Sequence, residues 1–403
     1  GSNVTTGVRN TIIGGLAGDA LTDADHNTAI GQGALTADTL GSKSTAIGNN
    51  ALFTQNFESA TNTYNTAVGY SAGEGVTTGV SNTLIGGLAG DALTDADYNV
   101  AVGTSALSAD TLGSRSVAIG RASLTLQNFT SATNSYNVGV GFNSGGSLTT
   151  GIENVIIGGL AGNNITGGGF SGTTRQAGGD YNVVIGQAAL SSDTLGNKSI
   201  AIGVNALATQ NFTSSTNAFN TAVGHAAGTA VTTGIKNTLI GALAGDALED
   251  ADNNTAIGYF ALTADTLGSK STAIGQGTLF AQNFTSATDT LNTAVGYIAG
   301  VAVTTGVQNT LIGANAGTAL QAVHDTTAVG YLALPAATVG GNTAVGSEAF
   351  LSSTTGNSNV AMGIQAGRFA TTADNTTFIG ASAGKGITGA KLTGNGNTAV
   401  GKD

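Results

Sequence analysis

Short segments that alternate apolar and polar residues recur along the whole chain, and each segment ends at a glycine. A typical copy is Asn82-Thr83-Leu84-Ile85-Gly86, and variants of it occur 22 times between residues 10 and 401. The residue before the glycine is Ile or Val in 21 of the 22 copies, and the residue three before it is always β-branched. Period-two alternation with β-branched residues is typical of a short strand. The pattern therefore predicts one short strand for each copy.

The spacing of these segments defines a repeat. Their closing glycines lie mostly 17 residues apart, with 21 at every fourth step, which gives a super-repeat of 72 residues. A fixed period of this kind is typical of a solenoid, in which each repeat contacts only its neighbours. We call the stretch from one closing glycine to the next a rung. The sequence predicts an all-β fold, a single parallel β-solenoid domain over residues 1–403 with about 22 rungs of 17 or 21 residues.

The alternation also predicts which side chains face the interior. Ile or Val precedes nearly every closing glycine, as at Ile30, Ile47 and Val68, so this face is expected to point into a dry core. The residue before it is usually Ala, as at Ala29 and Ala46, and this small-residue column is expected to meet another chain at close range. One buried Ile contributes about 1.5–3 kcal/mol, and ordering a whole rung costs at least as much. We therefore expect a homo-oligomer.

The residues around each strand carry further expectations. Asn stands four residues before the closing glycine in 16 of the 22 copies. Stacked rungs would place these amides about 4.8 Å apart, so we expect a hydrogen-bonded Asn ladder that also satisfies turn backbone. The glycine is expected to have a positive φ or to allow close backbone approach. The following Gly-x-x-Ala pattern, continued by Leu35 or Leu52, predicts a second short strand with Leu as core filler.

Two charged motifs recur with the super-repeat. The acidic turn Asp19–Asp25, repeated at 91–97 and 246–252, could bind Ca²⁺ or simply form a solvated turn. Asp38 is followed by Lys43, and the same spacing recurs at Asp110 and Arg115. This second motif predicts an ion pair at the surface.

The longer rungs and one insertion supply the candidate binding residues. Each 21-residue rung carries a Phe that could stack on sugar rings or fold back to cap the core, namely Phe57, Phe129, Phe212 and Phe284. Between Gly158 and Gly186 the chain gains 11 residues, in a polar, Gly-rich loop near 163–179. Solenoid insertions often lie on the binding face. Phe170 and Arg175, the only aromatic and the only charged side chain of this loop, are therefore candidate receptor contacts, although the insertion could also be neutral.

Composition removes several classes of function. The net charge is −11, with only 12 Lys and Arg and no cluster of them in the sequence, which argues against a nucleic-acid partner. The sequence contains no run of 18 apolar residues, so we expect no membrane insertion. The 3 His occupy unrelated rung positions and Cys is absent, so apart from the Ca²⁺ alternative for the acidic turns no metal site is expected, and no cofactor. No catalytic arrangement of carboxylates or nucleophiles emerges, and we expect no enzyme activity.

The repeats resemble a known group. Asn65–Gly73 and Asn292–Gly300 read Asn-Thr-Ala-Val-Gly-Tyr-x-Ala-Gly, and Asn27–Leu35 and Asn254–Leu262 read Asn-Thr-Ala-Ile-Gly-x-x-Ala-Leu. These segments resemble the head repeats of YadA-type trimeric autotransporter adhesins, and still more the longer-period repeats of tail-fibre proteins of marine bacteriophages. The resemblance implies a left-handed parallel β-roll and a homotrimer of parallel chains around a common axis. It implies no catalytic residues.

The rung length, which is shorter in the adhesin heads, favours the phage fibre. We therefore expect a structural fibre or spike shaft of a virus, a bacteriophage tail or capsid fibre on the virion surface. It would serve host attachment, with a host cell-surface glycan or protein as partner. The chain begins and ends inside the repeat, so we expect it to be part of something longer.

Three alternatives stay open. The first is a bacterial trimeric adhesin head at the bacterial cell surface. The second is an ice- or glycan-binding solenoid, suggested by the Thr column; against it, Thr shares its face with the Ile and Val predicted to be buried. The third is a depolymerase tailspike.

Overall fold

A computed structural model describes residues 1–171, 174–387 and 391–402, apart from the side chains of residues 170, 171, 174 and 175. In this part of the chain all regular secondary structure is β, and no helix is present. The strands are β1 (Thr11–Ile13), β2 (Thr28–Ile30), β3 (Gly41–Ser42), β4 (Thr45–Ile47), β5 (Thr61–Asn62), β6 (Thr66–Val68), β7 (Thr83–Ile85), β8 (Val100–Val102), β9 (Gly113–Ser114), β10 (Val117–Ile119), β11 (Thr133–Asn134), β12 (Val138–Val140), β13 (Val155–Ile157), β14 (Phe170–Ser171), β15 (Thr174–Arg175), β16 (Val183–Ile185), β17 (Gly196–Asn197), β18 (Ile200–Ile202), β19 (Thr216–Asn217), β20 (Thr221–Val223), β21 (Thr238–Ile240), β22 (Thr255–Ile257), β23 (Gly268–Ser269), β24 (Thr272–Ile274), β25 (Thr288–Asp289), β26 (Thr293–Val295), β27 (Thr310–Ile312), β28 (Thr327–Val329), β29 (Thr343–Val345), β30 (Val360–Met362), β31 (Thr377–Ile379) and β32 (Thr398–Val400).

The three-residue strands form one parallel sheet of 22 strands. Neighbouring rungs pair in register, so that like residues stack: between β2 and β4, Thr28 lies beside Thr45 and Ile30 beside Ile47. The chain is therefore a parallel β-solenoid in which each copy of the repeat supplies one strand, as the spacing predicts. The solenoid divides into two compact units, residues 1–205 with 211–218, and residues 206–210 with 219–403.

The predicted orientation of the strands is wrong. The middle residue of the strand is the buried one, and Ala29, Ala46 and Leu84 are all fully inaccessible. Ile30 and Ile47 on the other face are only half-buried, and Ile85 is 39% exposed. The Ile and Val columns, with the Thr columns, therefore face outward, and the Ala column lines the core of the roll itself.

The physical reason is that the interior of a rung is thin, so two facing positions share its volume. Where the middle strand residue is Ala29, the residue four after the closing glycine is Leu35. Where the strand supplies Leu84 instead, the facing residue is Gly90, and a Cβ there would lie 2.7 Å from Leu84 Cδ2. In these rungs a large residue on one wall of the core faces a small residue on the other, which explains why the Ala column lies inside.

The second predicted strand does not form. The segment after each closing glycine is a series of turns, because residues such as Leu35 and Leu52 adopt left-handed backbone conformations (φ of 52° and 49°). A positive φ at a non-glycine residue interrupts an extended strand. Both Leu side chains are nevertheless fully buried, so the prediction that Leu fills the core is confirmed.

The Asn ladder is confirmed, and it bonds mainly to backbone. The backbone N–H of Asn82 donates to Asn65 Oδ1 at 2.9 Å, one rung away, and the side-chain Nδ2 of Asn82 donates to the Ala96 carbonyl at 2.7 Å. Each side chain thereby satisfies a backbone donor in one rung and a backbone acceptor in another. The closing glycines have φ near +130°, as at Gly86, where a Cβ would lie 2.7 Å from the Gly103 carbonyl. Both expectations for this glycine hold.

The longer rungs add a short parallel ladder and a buried ring. In the first super-repeat Gly41 and Ser42 of β3 pair with Thr61 and Asn62 of β5. Phe57 is almost fully buried, and its counterparts are equally so: Phe129, Phe212 and Phe284. These rings cap the core, and the alternative of sugar stacking by them is wrong.

Candidate interaction surface

The outward side of the main sheet carries two parallel columns, which we call the strand face. One column is the residue three before each closing glycine, mostly Thr, and the other is the Ile, Val or Met just before the glycine. In-register pairing stacks Thr238 on Thr255 and Ile240 on Ile257, so both columns run continuously within a unit. The spacing of like residues is about 4.8 Å. No residue in either column is charged.

The two residues after each closing glycine extend this apolar surface, and we call them the glycine edge. Tyr70 is 62% exposed, and other large side chains of the glycine edge are also exposed, namely Leu16, Leu88, Phe142, Leu160, Val204, Tyr259, Tyr297, Tyr331 and Ile364. Among the described residues, nearly every exposed large hydrophobic side chain lies on the strand face, on the glycine edge or five residues before a closing glycine. The exceptions are Val8, Leu126, Phe280 and Ile387.

A third column lies at the turn that precedes each strand, five residues before the closing glycine, and we call it the corner column. Every one of its residues has a positive φ, which turns the chain into the buried Asn. In the first unit the column reads Arg9, His26, Lys43, Tyr64, Ser81, Tyr98, Arg115, Tyr136, Glu153, Tyr181 and Lys198. In the second unit it begins Phe219, Lys236, Asn253, Lys270 and Leu291. This column was not predicted from the sequence.

The corner column interleaves cations with aromatic rings. Lys43 Nζ lies 5.1 Å from the centre of the Tyr64 ring and donates to the Tyr64 hydroxyl at 3.2 Å. The Arg115 guanidinium lies 5.2 Å from the Tyr98 ring and 5.7 Å from the Tyr136 ring. Six of the 12 Lys and Arg and four of the 8 Tyr of this acidic chain stand in the column. Because these cations are far apart in the sequence, the column becomes visible only when residues at the same rung position are compared.

The Asp38 and Lys43 motif does not form the predicted surface ion pair. Asp38 is fully buried, where Gln55 Nε2 donates to its Oδ2 at 2.5 Å and the Gly41 and Phe57 amides donate to its Oδ1 at 3.0 and 3.2 Å. Burial raises the pKa of the Asp38 carboxyl, and the hydrogen bonds from Gln55 and the backbone only partly oppose that shift. The arrangement recurs at Asp110 and Asp265.

The acidic turns use their carboxylates to bond neighbouring rungs. Asp23 Oδ1 accepts from the Thr6 hydroxyl at 2.5 Å, and Asp25 Oδ1 accepts from the Val8 amide at 2.7 Å. The described residues contain no group of three or more His, Cys, Asp or Glu that could hold a metal ion. The turn therefore has a structural explanation as a rung-to-rung link.

The inserted loop forms a small antiparallel hairpin, in which Phe170 of β14 pairs with Arg175 of β15 through the backbone. The side chains of both candidate contacts lie outside the described part of the structure. Nearby Ile165 is fully buried, which joins the start of the loop to the core. Whether Phe170 and Arg175 contact a receptor stays a prediction.

No protein-family model and no curated protein matches this sequence. Among the described residues, none forms a helix of the length and hydrophobicity that crossing a membrane requires.

Proposed function

We propose that this chain is a subunit of a homotrimeric fibre or spike shaft of a virus, a bacteriophage tail or capsid fibre that serves host attachment. The observation that supports it is the uncharged strand face, with its continuous columns of Ile, Val and Thr directed outward. The virus, the virion-surface location and the number of chains come from the resemblance of the repeats to phage tail fibres. The proposal includes no catalytic activity, so turnover of a host polysaccharide by the purified chain would contradict it.

The size of the strand face explains why it needs a partner. The first unit alone contributes 11 three-residue strands, which correspond to about 50 Å of stacked rungs. Isolated soluble proteins rarely expose a continuous apolar patch of more than a few hundred Å². Removing apolar surface from water contributes about 25 cal/mol per Å², so covering this face would add substantially to the modest core of each rung.

Identical copies are the partner that fits best. Parallel chains around a three-fold axis would each direct the strand face inward, and closed symmetry would satisfy all three faces at once. The absence of charge agrees with this location, since charged residues are depleted at the centre of stable interfaces. This is the homotrimer predicted from the sequence, except that the Ile and Val columns, and not the Ala column, would form its interface.

The mass of the purified protein in solution tests the proposal. Light scattering coupled to size exclusion, or mass spectrometry under native conditions, is expected to give three times the chain mass of 39.1 kDa over a wide concentration range. A stable monomer that remains folded would contradict the trimer. Electron microscopy of the same sample would show whether the particles are fibrous.

A second candidate function is ice or glycan binding by the strand face. The sequence-based objection assumed that the Ile and Val beside the Thr column were buried, and that orientation is wrong. A flat face with regularly spaced Thr hydroxyl and aliphatic groups, such as Thr238 and Ile240, could order water or stack on a sugar surface. Thermal hysteresis at micromolar protein would support the ice-binding role, and its absence together with trimer formation would remove it.

A further inference from the structure

We propose that the corner column of the first unit, from Lys43 to Tyr136, is a binding site for an anionic polysaccharide. Sulfate or carboxylate groups would contact Lys43 and Arg115, and sugar rings would stack on Tyr64, Tyr98 and Tyr136. The inference rests on the proposed role in host attachment and names the class of surface polymer that the attachment would use.

The composition of the corner column places it at the rim of the proposed interface. In the first unit it contains five charged residues, Arg9, Lys43, Arg115, Glu153 and Lys198, whereas the strand face contains none. Charged residues are depleted at interface centres and concentrate at solvated rims. The column therefore stays accessible when three copies cover their strand faces.

The aromatic rings of the column are well placed to receive a sugar. Tyr98 is 53% exposed, and Tyr64 and Tyr136 are similarly open. The backbone of Tyr98 is fixed, because its amide donates to the Val80 carbonyl at 3.0 Å in the neighbouring rung. Tyr64, Tyr98 and Tyr136 share the same rung position and a positive φ, so their side chains leave the turn in the same way. Such pre-organisation lowers the ordering cost of binding.

The cations lie against the rings, so one ligand can contact a cation and a ring together. The Arg115 guanidinium lies over Tyr98 and Tyr136, and Arg115 Nε donates to Asn134 Oδ1 at 3.0 Å. This leaves the two terminal nitrogens of the guanidinium fork for an anion. Lys43 and Arg115 are four rungs apart, about 19 Å, with two Tyr and Ser81 between them. That length suits an extended polymer with spaced charges.

Acidic residues beside the column limit what can bind. Asp25 precedes His26 and Asp97 precedes Tyr98 in the chain, and their Oδ1 atoms accept hydrogen bonds from the Val8 and Val80 amides at 2.7 Å. These carboxylates repel anions, so charge alone would bind a polyanion weakly. Stacking of sugar rings on the Tyr rings therefore has to contribute to the affinity.

Binding of the purified full chain to dextran sulfate, polygalacturonate and neutral dextran, measured by calorimetry at several salt concentrations, tests the proposal. We expect binding to at least one of the two anionic polymers, weaker at higher salt, and none to neutral dextran. The variant K43S/R115S is expected to bind at least about tenfold more weakly, since two charge-assisted contacts are lost. Ser81 occupies the same rung position naturally, so both substitutions are compatible with the fold.

Two further variants distinguish binding at a defined site from non-specific electrostatic attraction. Y98S/Y136S is expected to weaken binding about tenfold although the charge is unchanged. The control K385S/K402S removes two cations outside the column and is expected to bind like the unmodified chain. Absence of binding to both anionic polymers, equal losses in the control, or full affinity in Y98S/Y136S would each overturn the site. Tighter binding to duplex DNA than to the polysaccharides would also overturn it.

The mass of each variant, measured on the same samples, keeps this test apart from the trimer. A monomer that binds the anionic polymer through the column would contradict only the proposed assembly. A trimer that fails to bind would contradict only the polysaccharide site.

Discussion

The closing glycine is the residue on which the stacking of rungs depends. At Gly86 the backbone adopts a φ of +133°, and a Cβ there would lie 2.7 Å from both the carbonyl carbon and oxygen of Gly103. The same contact repeats between successive closing glycines in each unit, for example between Gly241 and Gly258. A backbone of this conformation costs a residue with a side chain about 1–3 kcal/mol before any clash is counted. Glycine is therefore required at this position.

The first prediction concerns Gly86→Ala. We expect a loss of at least about 2 kcal/mol in the free energy of unfolding, because strain and overpacking add at one position. Gly87→Ala is the matched control, since a Cβ there has only the Tyr70 carbonyl oxygen at 4.0 Å and the φ is not positive. Denaturant unfolding followed by circular dichroism measures both variants. Equal stability of the two would contradict the role assigned to the closing glycine.

The buried carboxyls give a pH dependence whose sign is fixed. Burial raises the pKa of Asp38, Asp110 and Asp265 in the folded chain above that of the unfolded chain. The folded state therefore binds more protons in the window between the two pKa values. The second prediction is that these groups make the folded chain less stable as pH rises from about 4 towards neutrality.

Denaturant unfolding at a series of pH values measures this effect. In the variant D110N, the free energy of unfolding should fall less, or rise more, with increasing pH across this window than in the unmodified chain, because the titration of Asp110 is removed. A free energy of unfolding that falls more, or rises less, with increasing pH in D110N than in the unmodified chain would contradict the raised pKa.

At the scale of one element, the short strand and the turn facing it act as a complementary pair. Ala101 in β8 faces Leu107, whereas Leu84 in β7 faces Gly90. The side chains of Ala101, Leu107 and Leu84 are fully buried. In these two rungs the core is filled from one wall or from the other. Leu107 already has a positive φ of 53°, which a glycine adopts without strain.

The third prediction exchanges one pair for the other. Ala101→Leu alone should cost about 1–3 kcal/mol through overpacking, and Leu107→Gly alone about 2–5 kcal/mol through a cavity. The double variant A101L/L107G recreates the arrangement of Leu84 and Gly90 and should recover most of the loss. A double-mutant cycle of unfolding free energies measures the coupling. Additive losses would show that the two positions do not share the core.

The sequence predicted the strands and their register, because stacked rungs place like residues together and the period is visible by inspection. The prediction of which strand face is buried was wrong, because the β-branched side chains were assigned to the interior. A strand that is covered on both sides carries apolar residues on both faces. The reciprocal sizes at Leu84 and Gly90 contained the correct answer. The corner column was missed because Tyr98 and Arg115 meet only after folding.

At the scale of the whole molecule, most of the exposed apolar surface is concentrated on the strand face and the glycine edge. Ile85 and Ile119 are 39% and 40% exposed in the single chain and have no part in the core of their own rungs. Substitutions at these residues should therefore act on the assembly and leave the roll intact. This separates the proposed interface from the stability of the fold.

The fourth prediction is that I85K/I119K dissociates the proposed trimer into folded monomers, because charges would be buried at the interface without partners. The control S59K/T130K adds the same charge at exposed residues of the longer rungs and should keep the trimer. Light scattering gives the mass, and circular dichroism checks the strands. A trimeric I85K/I119K protein would place the interface elsewhere.

The sharing of core volume between rungs also limits how such a gene can change in length. A Cβ at Gly73 would lie 2.6 Å from Leu84 and 3.1 Å from Leu52, so this glycine makes room for residues of the rungs on both sides. Loss of only the rung that contains Ala67 and Gly73 would bring Leu52 and Leu84 into neighbouring rungs without the room that Gly73 leaves between them, whereas loss or duplication of a complete 72-residue block would recreate junctions that already exist. This protein should therefore tolerate a change in length by a whole block better than the loss of this rung.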